Sequence, residues 1–202
     1  MLKSVDAILM ASGFSRRFAQ GDKLLYPFLG EPLILRTLRL FTKVEGVRRV
    51  LLVCANPEVA ALASGLPIEV IHNARPELGQ RESIRLGVQV SDAEGYLFCP
   101  CDQPFLDAEA IGAILRAGKA GRIALPIYEE KPRTPVLFSA AFSGELQALG
   151  EGESGKTVYR RHMGCVDKMT VDRPWAFWDI DTVEDIHRLE AYAMKALPQK
   201  FT

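Results

Sequence analysis

The chain has 202 residues, a length typical of a single domain. Its 25 Lys and Arg residues are balanced by 25 Asp and Glu residues, and this neutral charge disfavours a protein dedicated to binding nucleic acid. The hydrophobic content of 48% is ordinary for a globular protein and excludes a disordered chain, a collagen and a coiled coil. We expect residues 1–196 to form one domain and residues 197–202 to fray.

The sequence lacks the patterns of a membrane or secreted protein. Its longest apolar run, residues 50–55, is far shorter than the roughly 18 residues of a membrane-spanning helix. The first residues do not resemble a signal peptide, so we expect a soluble cytoplasmic protein without membrane partners. The four cysteines, Cys54, Cys99, Cys101 and Cys165, are then expected to be reduced and mostly buried. A zinc site at Cys99 and Cys101 is disfavoured, because one residue rather than two separates the sulfurs.

Short apolar segments rich in β-branched residues alternate with segments of helical period. This alternation predicts an α/β fold in which a mainly parallel, Rossmann-like sheet has helices on both faces. Strands are predicted over residues 6–10, 49–54, 68–71, 96–99, 123–126, 136–138 and 166–171. Helices are predicted from Pro32 to about residue 41, over 58–63, 82–90, 108–117, 140–149 and 156–162, and from a capping box at 182–185 to about residue 196.

The loop after the first predicted strand carries small residues and cations. Ser12, Gly13 and Ser15 allow backbone N–H groups to approach an anion. Arg17 and Lys23 add positive charge at the carboxyl end of a strand, where parallel sheets bind their ligands. This pattern is typical of a phosphate-binding loop. The alternative is a glycine turn whose cations are only solvated, since such turns are common.

Carboxylates follow the fourth predicted strand and precede the last predicted helix. Asp102 stands at the carboxyl end of its strand, and one or two carboxylates plus phosphate oxygens are the usual ligands of Mg²⁺. Asp102 is equally compatible with a turn or cap before Asp107. Of Asp179 and Asp181, one can serve as a second metal ligand and the other as a helix cap, or both can serve only the helix.

Residues 150–157 match the Walker A pattern G-x-x-x-x-G-K-[ST] as a string. A working phosphate loop follows a buried strand, whereas Leu146 and Leu149 precede this segment at helical spacing. Glu151 would also place negative charge beside a phosphate. We therefore favour an acidic loop between two helices, with a P-loop ATPase or kinase using Lys156 as the alternative.

Four segments carry motifs that belong together. They are residues 10–19 followed by Lys23, similar to L-A-A-G-x-S-x-R-M-G followed by K; 79–87, similar to G-x-x-x-S-L-x-x-G; 101–106, similar to D-Q-P-x-L; and 179–185, similar to D-x-D-T-P-E-D. Together they resemble the nucleotidyltransferases that attach a nucleotide to molybdopterin, the family of molybdenum cofactor cytidylyltransferase and its guanylyltransferase relative. The resemblance spans about residues 5–189.

The resemblance implies a nucleotide-diphospho-sugar transferase-like fold and transfer of a nucleoside monophosphate from an NTP to the phosphate of molybdopterin, with release of pyrophosphate. It implies Mg²⁺ as the cofactor, with Mn²⁺ as the alternative. The catalytic residues would be Arg17, Lys23 and Asp102, and Asp102 and Asp181 would hold the metal. Nucleotide binding would fall to Ala11, Ser12, Gly13, Phe14, Ser15, Arg17, Lys23, Asn73 and Ser83.

Two departures from the family pattern bear on the substrates. Ser12 stands where the cytidylyl enzymes tend to have Ala and the guanylyl enzymes Gly; because its side chain leaves less room for a purine than glycine does, we expect CTP ahead of GTP. Residues 131–134 differ from the family's Gly followed by His or Asn, so Arg133 is either a substitute anion contact or solvated. The competing functions are a sugar-phosphate or other small-phosphate nucleotidyltransferase and a non-catalytic cofactor carrier. The protein partner we expect is a molybdoenzyme or its cofactor-insertion chaperone.

Overall fold

A computed structural model of the protein describes residues 1–15, 17, 18 and 20–196. The strands are β1 (Val5–Ala11), β2 (Pro27–Phe28), β3 (Glu31–Pro32), β4 (Arg49–Cys54), β5 (Glu69–His72), β6 (Gly95–Pro100), β7 (Ile123–Tyr128), β8 (Lys131–Pro132), β9 (Val136–Ser139) and β10 (Val166–Thr170). The helices are α1 (Leu33–Phe41), α2 (Pro57–Leu62), α3 (Gln80–Val90), α4 (Ala108–Ala117), α5 (Ser143–Gln147), α6 (Gly155–Arg161) and α7 (Val183–Ala196). The fraying predicted for residues 197–202 lies outside the described residues.

The main sheet has the strand order β10-β7-β9-β6-β1-β4-β5, with β8 paired to β7. Strand β9 runs antiparallel to β6 and β7, whereas the pairs β10/β7, β6/β1, β1/β4 and β4/β5 are parallel. The prediction of a mainly parallel α/β fold is confirmed, and all seven predicted strands are present. Strands β2, β3 and β8 were missed, because two residues are too few to show a periodic pattern.

Strand β1 lies inside the sheet and is buried on both faces. In the register of its parallel neighbours, Ile8 lies beside Leu51 of β4 and Phe98 of β6. These three side chains belong to a core that α3, α5 and α6 cover. Ala7 and Leu9 belong to the core on the other face, which α1, α2, α4 and α7 cover. Helices therefore cover both faces, and the carboxyl ends of the parallel strands remain available for a ligand.

Helix α3 packs against β1 at Gly87. A Cβ atom at this position would lie only 2.5 Å from Ile8 Cγ2, so glycine allows the close approach. Strand β5, which precedes α3 in the chain, pairs parallel with β4, which pairs parallel with β1. The helix therefore starts at the edge of the sheet where β1 ends. This arrangement brings Gln80 and Arg81 towards the loop that follows β1.

Two predicted helices begin or run differently in the structure. Residues 140–149 form a 3-10 turn followed by α5, because the Ser139 hydroxyl accepts a hydrogen bond from Ala141 N and caps the turn. Pro32 precedes the first helical residue of α1 rather than occupying it, since it pairs with Pro27 in the β2/β3 ribbon. The other predicted helices lie within two residues of their observed bounds.

The capping box predicted at the start of α7 is confirmed. Thr182 Oγ1 accepts a hydrogen bond from Asp185 N at 3.1 Å, and Asp185 Oδ2 accepts one from Thr182 N at 3.0 Å. This reciprocal pair satisfies backbone donors that a helix leaves open at its first turn. Across the described ranges, every helix is too short or too polar to cross a membrane.

Candidate functional site

A cleft of about 680 Å³ opens at the carboxyl edge of the sheet. The loop after β1 forms one wall, and the turn at residues 76–79 with the start of α3 forms the opposite wall. The floor comes from the end of β6, Pro100 to Asp102, and from Asp181 before α7. The cleft thus lies where parallel sheets bind ligands, and segments that are far apart in the sequence meet there.

The loop after β1 is folded around Ser15. This residue has a positive φ of 47°, which costs energy for a residue other than glycine. Its hydroxyl accepts a hydrogen bond from Lys23 N at 3.2 Å, and its carbonyl accepts one from Phe18 N at 2.7 Å. Ser12 Oγ donates to Val53 O at 3.1 Å and ties the loop to β4. These contacts hold the loop against the sheet.

Lys23 lies at the floor of the cleft among oxygen atoms. Its Nζ donates to Asp102 Oδ2 at 2.6 Å, to the carbonyl of Ile180 at 2.8 Å and to Asp181 Oδ1 at 3.2 Å. Burial opposes the charged form, but the carboxylates of Asp102 and Asp181 outweigh it and raise the pKa of Lys23 above its usual value. The ammonium group is therefore charged and held in place at neutral pH.

Arg17 adds a second cation at the rim. Its guanidinium lies 2.9 Å from Asp181 Oδ2, but the Arg17 side chain is 74% exposed. An ion pair this exposed contributes at most about 1 kcal/mol. Arg17 can therefore leave Asp181 for a stronger anion, such as a phosphate, at little cost.

The two carboxylate oxygens of Asp102 differ in their hydrogen bonding. Oδ2 accepts from Lys23, whereas Oδ1 is buried and has no hydrogen-bond partner among the described residues. A buried carboxylate oxygen without a donor is costly unless a ligand satisfies it. Asp102 and Asp181 share one ammonium group, so they lie close enough to face one cation. Two carboxylates fit Mg²⁺ when phosphate oxygens complete its coordination.

The described residues contain no group of three or more His, Cys, Asp and Glu side chains arranged to hold a metal. Cys54, Cys99 and Cys101 are buried, and Cys165 is half-buried. Burial raises the pKa of the Cys99 and Cys101 thiols well above their usual range. Because zinc binds the thiolate, these two thiols are poor ligands in this setting.

Asp179 takes part in a contact that the sequence did not indicate. It does not cap α7, since Thr182 and Asp185 do so; its Oδ1 instead accepts a hydrogen bond from Gln103 Nε2 at 2.8 Å. Burial, followed by the nearby charge of Asp102, raises the pKa of Asp179 to about 6. Gln103 thereby links the segment that carries Asp102 to the segment that carries Asp181.

Not every predicted binding residue lines the cleft. Ser12, Gly13, Phe14, Ser15, Arg17, Lys23, Ser83, Asp102 and Asp181 do so. Ala11 lies outside the lining, because it ends β1 with its side chain in the core. Asn73 also lies outside it: the residue is 1% exposed, its Nδ2 lies 3.5 Å from Ser83 Oγ, and its Oδ1 accepts from Arg75 N at 3.0 Å. Asn73 therefore lies behind Ser83 and supports that wall of the cleft.

Arg81 lines the cleft without having been predicted. Its neighbours Arg75 and Arg85 both form ion pairs with Glu82, whereas Arg81 forms none within the described part of the chain. The motif at 79–87 contained this residue, but an arginine in the first turn of a helix is more often solvated than functional. The structure adds it to the cationic lining.

The Walker A interpretation of residues 150–157 is wrong. Helix α5 rather than a strand precedes the segment, and Lys156 is exposed on α6. Ser154 and Thr157 form a capping box, so the Thr157 hydroxyl accepts from Ser154 N at 3.2 Å instead of facing a ligand. The loop reaches the cleft only through Glu151 and Gly152. A P-loop ATPase using Lys156 therefore has no structural support.

Comparison with known proteins decides the family. The sequence profile of the MobA-like NTP transferase domain matches residues 7–166, well over half of the chain. The chain belongs to this family. The resemblance found in the sequence motifs is confirmed, and the protein is a nucleotidyltransferase.

Two curated relatives match this MobA-like protein over nearly its whole length. It is 29% identical over 201 residues to a molybdenum cofactor guanylyltransferase of Ralstonia pickettii, covering 92% of this chain and 95% of the relative. It is 26% identical over 205 residues to the nicotine blue oxidoreductase of Paenarthrobacter nicotinovorans, covering 93% and 97%. A solved nucleotidyl transferase from Methanothermobacter thermautotroptrophicus superposes with a TM-score of 0.83 at 18% identity, covering 95% of this chain and 98% of that one. This last likeness shows a shared fold.

Proposed function

We propose that the protein transfers a nucleoside monophosphate from an NTP to the terminal phosphate of molybdopterin and releases pyrophosphate. The observation that carries the proposal is the position of Lys23 between Asp102 and Asp181, beside the loop after β1. The same cleft thus contains cationic side chains that can bind phosphates and, next to them, carboxylates that can bind a metal. The guanylyltransferase name of the Ralstonia relative supports molybdopterin as the acceptor.

The loop after β1 binds the triphosphate. Residues 12–15 line the cleft, where their backbone N–H groups can donate to phosphate oxygens. Arg17 and Lys23 offset the negative charge, and Arg17 is free to turn because its pair with Asp181 is exposed. Phe14 and Ser83 line the cleft beside the nucleotide or the pterin, with Asn73 behind Ser83.

Asp102 and Asp181 would hold Mg²⁺, or Mn²⁺ in its place. The fit rests on Asp102 Oδ1, which is buried without a donor, and on the oxygen-only character of the pair. When bound, the ion neutralises charge on the phosphates and orients them. Lys23 then has to exchange its carboxylate partners for phosphate oxygens.

The chemical step needs little covalent help from the protein. An oxygen of the acceptor's terminal phosphate attacks the α-phosphorus of the NTP, and the bond from that phosphorus to the bridging oxygen breaks as pyrophosphate leaves. Reactions of this kind depend mainly on positioning and on stabilisation of charge. Lys23 and Arg17 supply that charge at the leaving group, and Asp102 is the catalytic residue that would hold the ion.

CTP is the favoured nucleotide and GTP the second. Ser12 lines the cleft, and its side chain would leave less room for a purine than a glycine would. The name of the Ralstonia relative supplies GTP as the competing choice. The product would be delivered to a molybdoenzyme or to its cofactor-insertion chaperone.

The test is pyrophosphate release with Mg²⁺ and molybdopterin, comparing CTP, GTP, ATP and UTP side by side. We expect release with CTP. Release with GTP alone would keep the reaction and reverse the choice of base, whereas release only with sugar 1-phosphates as acceptors would assign a different transferase. Pterin binding without any pyrophosphate would indicate a carrier. Turnover of nicotine blue without pyrophosphate release would instead match the oxidoreductase relative.

A further inference from the structure

The loop after β6 and the loop before α7 are joined by one amide side chain. Gln103 is 2% exposed, and its Nε2 donates to Asp179 Oδ1 at 2.8 Å and to Thr134 Oγ1 at 2.9 Å. A backbone hydrogen bond from Ile180 N to Asp102 O at 2.9 Å lies beside this bridge. Both hydrogen bonds join the same two loops, so the side chain and the backbone together fix the distance between these loops.

These two loops carry the carboxylates of the proposed metal site. Gln103 follows Asp102 directly, and Asp179 precedes Asp181 by two residues. Mg²⁺ tolerates little variation in the distance to its ligands, so both carboxylates reach one ion only at the correct loop spacing. We infer that Gln103 is a positioning residue that sets the spacing of Asp102 and Asp181. The inference rests on the proposed function, because it concerns the metal site of that reaction.

The chemistry of the bridge explains why an amide suits this position. The Asp179 carboxylate can only accept hydrogen bonds, and the Gln103 amide offers two hydrogens, one for Asp179 and one for Thr134. Without this donor, Asp179 Oδ1 would lose its hydrogen bond from Gln103. The loops would then be joined by the backbone bond from Ile180 to Asp102 and by Lys23, whose Nζ contacts Asp102, Ile180 and Asp181.

The inference can be tested by exchanging the hydrogen-bond donor and acceptor between Gln103 and Asp179. Gln103→Glu removes the donor and sets two carboxylates against each other at pH 8. Asp179→Asn alone keeps an acceptor oxygen for Gln103 and serves as the matched control. The double variant Gln103→Glu with Asp179→Asn restores the hydrogen bond with donor and acceptor exchanged. Mn²⁺ affinity is measured by electron paramagnetic resonance with CTP present, and kcat and the KM for Mg²⁺ are measured separately by pyrophosphate release.

We expect Gln103→Glu to weaken Mn²⁺ binding by about 10- to 100-fold and to raise the KM for Mg²⁺ more than it lowers kcat. Asp179→Asn should stay within about threefold of wild type, and the double variant should recover most of the affinity because it regains the hydrogen bond between the two loops. Equal Mn²⁺ affinity in wild type and Gln103→Glu, or no recovery in the double variant, would overturn the inference.

Thermal unfolding separates misfolded variants from variants with a weakened metal site, and measurements on the wild-type protein separate the inference from the proposed function. Thermal unfolding of each variant shows whether it is folded, and Gln103→Met, which keeps a long side chain without the donor, replaces Gln103→Glu if the latter does not fold. Wild-type protein that binds Mn²⁺ with CTP but releases no pyrophosphate with molybdopterin would refute the proposed function and leave the positioning role of Gln103 intact. Wild-type protein that binds no Mn²⁺ with CTP would overturn the positioning role itself.

Discussion

The ammonium group of Lys23 lies 2.6 Å from Asp102 Oδ2, although 79 positions separate the two residues in the sequence. Asp181 Oδ1 accepts a hydrogen bond from the same group at 3.2 Å. The lysine thereby supplies the positive charge that two neighbouring carboxylates require. A metal ion at these carboxylates would have to displace the ammonium group, and the phosphates of an NTP are the anions to which Lys23 would turn. Metal binding and nucleotide binding are therefore expected to depend on each other.

Lys23→Met removes this charge while keeping the bulk of the side chain. We expect kcat for pyrophosphate release to fall by about 10²- to 10³-fold, the scale of losing one preorganised charge. Without nucleotide, Mn²⁺ binding should become tighter, because no ammonium group competes for Asp102 and Asp181. Lys156→Met is the control and should leave both quantities unchanged, since Lys156 is exposed on α6. Unchanged turnover in Lys23→Met would contradict the proposed role.

Asp102→Asn keeps the shape of the side chain but removes its charge. We expect kcat to fall by about 10²-fold or more, because the replacement weakens both the metal site and the hold on Lys23. The measurement is kcat as a function of Mg²⁺ concentration. Asp107→Asn provides a matched acid on the next helix, where the side chain caps α4. Turnover near the wild-type level with unaltered metal dependence would remove Asp102 from the mechanism.

Ser12→Gly tests the choice of nucleotide. The substitution removes a side chain that lines the cleft and whose hydroxyl bonds to Val53 O. We expect the ratio of kcat/KM for GTP over CTP to rise by about 10-fold, the effect of adding a small volume to a specificity pocket. The check is competition between the two nucleotides in one reaction. A ratio that does not move would show that another part of the cleft selects the base.

Gly87→Ala should destabilise the fold. The added methyl group would lie 2.5 Å from Ile8 Cγ2, so α3 or β1 has to shift, at a cost of about 1–3 kcal/mol. Gly144→Ala in α5 is the matched control, because nothing lies within 4 Å of a Cβ atom there. Urea unfolding measures both. Equal stability of the two variants would show that the contact between α3 and β1 relaxes freely.

The lowered pKa of Glu82 predicts that the folded protein loses stability in acid. Hydrogen bonds from Arg85, together with Arg75, lower the pKa of its buried carboxyl to about 2 from the usual 4.5. Because the folded state holds the proton less tightly, this contribution is complete above pH 4.5 and is lost as the pH falls from about 4.5 to about 2. Glu82→Gln should be less stable than wild type by about 1–2 kcal/mol at pH 7, after allowance for solvent screening, and the difference should shrink across that pH window. A difference that is independent of pH would contradict this account.

The fold could be predicted because each buried strand of the parallel sheet is a continuous apolar run. Arg49–Cys54 and Gly95–Pro100 show such runs, and each is followed by a turn signal. The two-residue strands could not be predicted, since their pairing depends on contacts that bring Pro27 to Pro32. The split of the helix predicted at 140–149 depended on one capping contact from Ser139, which has no strong sequence signal.

The cleft could be predicted in part. The loop after β1 and Asp102 both follow parallel strands, and the topology alone brings such segments to one edge. Asn73 was misplaced because its amide turns back towards Ser83 instead of facing the cleft. The bond between Gln103 and Asp179 could not be foreseen, because an amide and a carboxylate 76 residues apart form no pattern in a single sequence.

Strand β9 runs against β6, and this reversal has a consequence for how such an enzyme can change. The chain enters β9 at the same edge where it leaves β6, so residues 129–135 lie at the carboxyl edge of the sheet. The segment begins with a tight turn in which Glu129 and Glu130 are exposed and have positive φ values. Residues can be gained or lost at this turn without shifting β6, whose end lies two residues before Asp102. The length and sequence of this turn can therefore vary while Asp102 and the loop after β1 keep their positions.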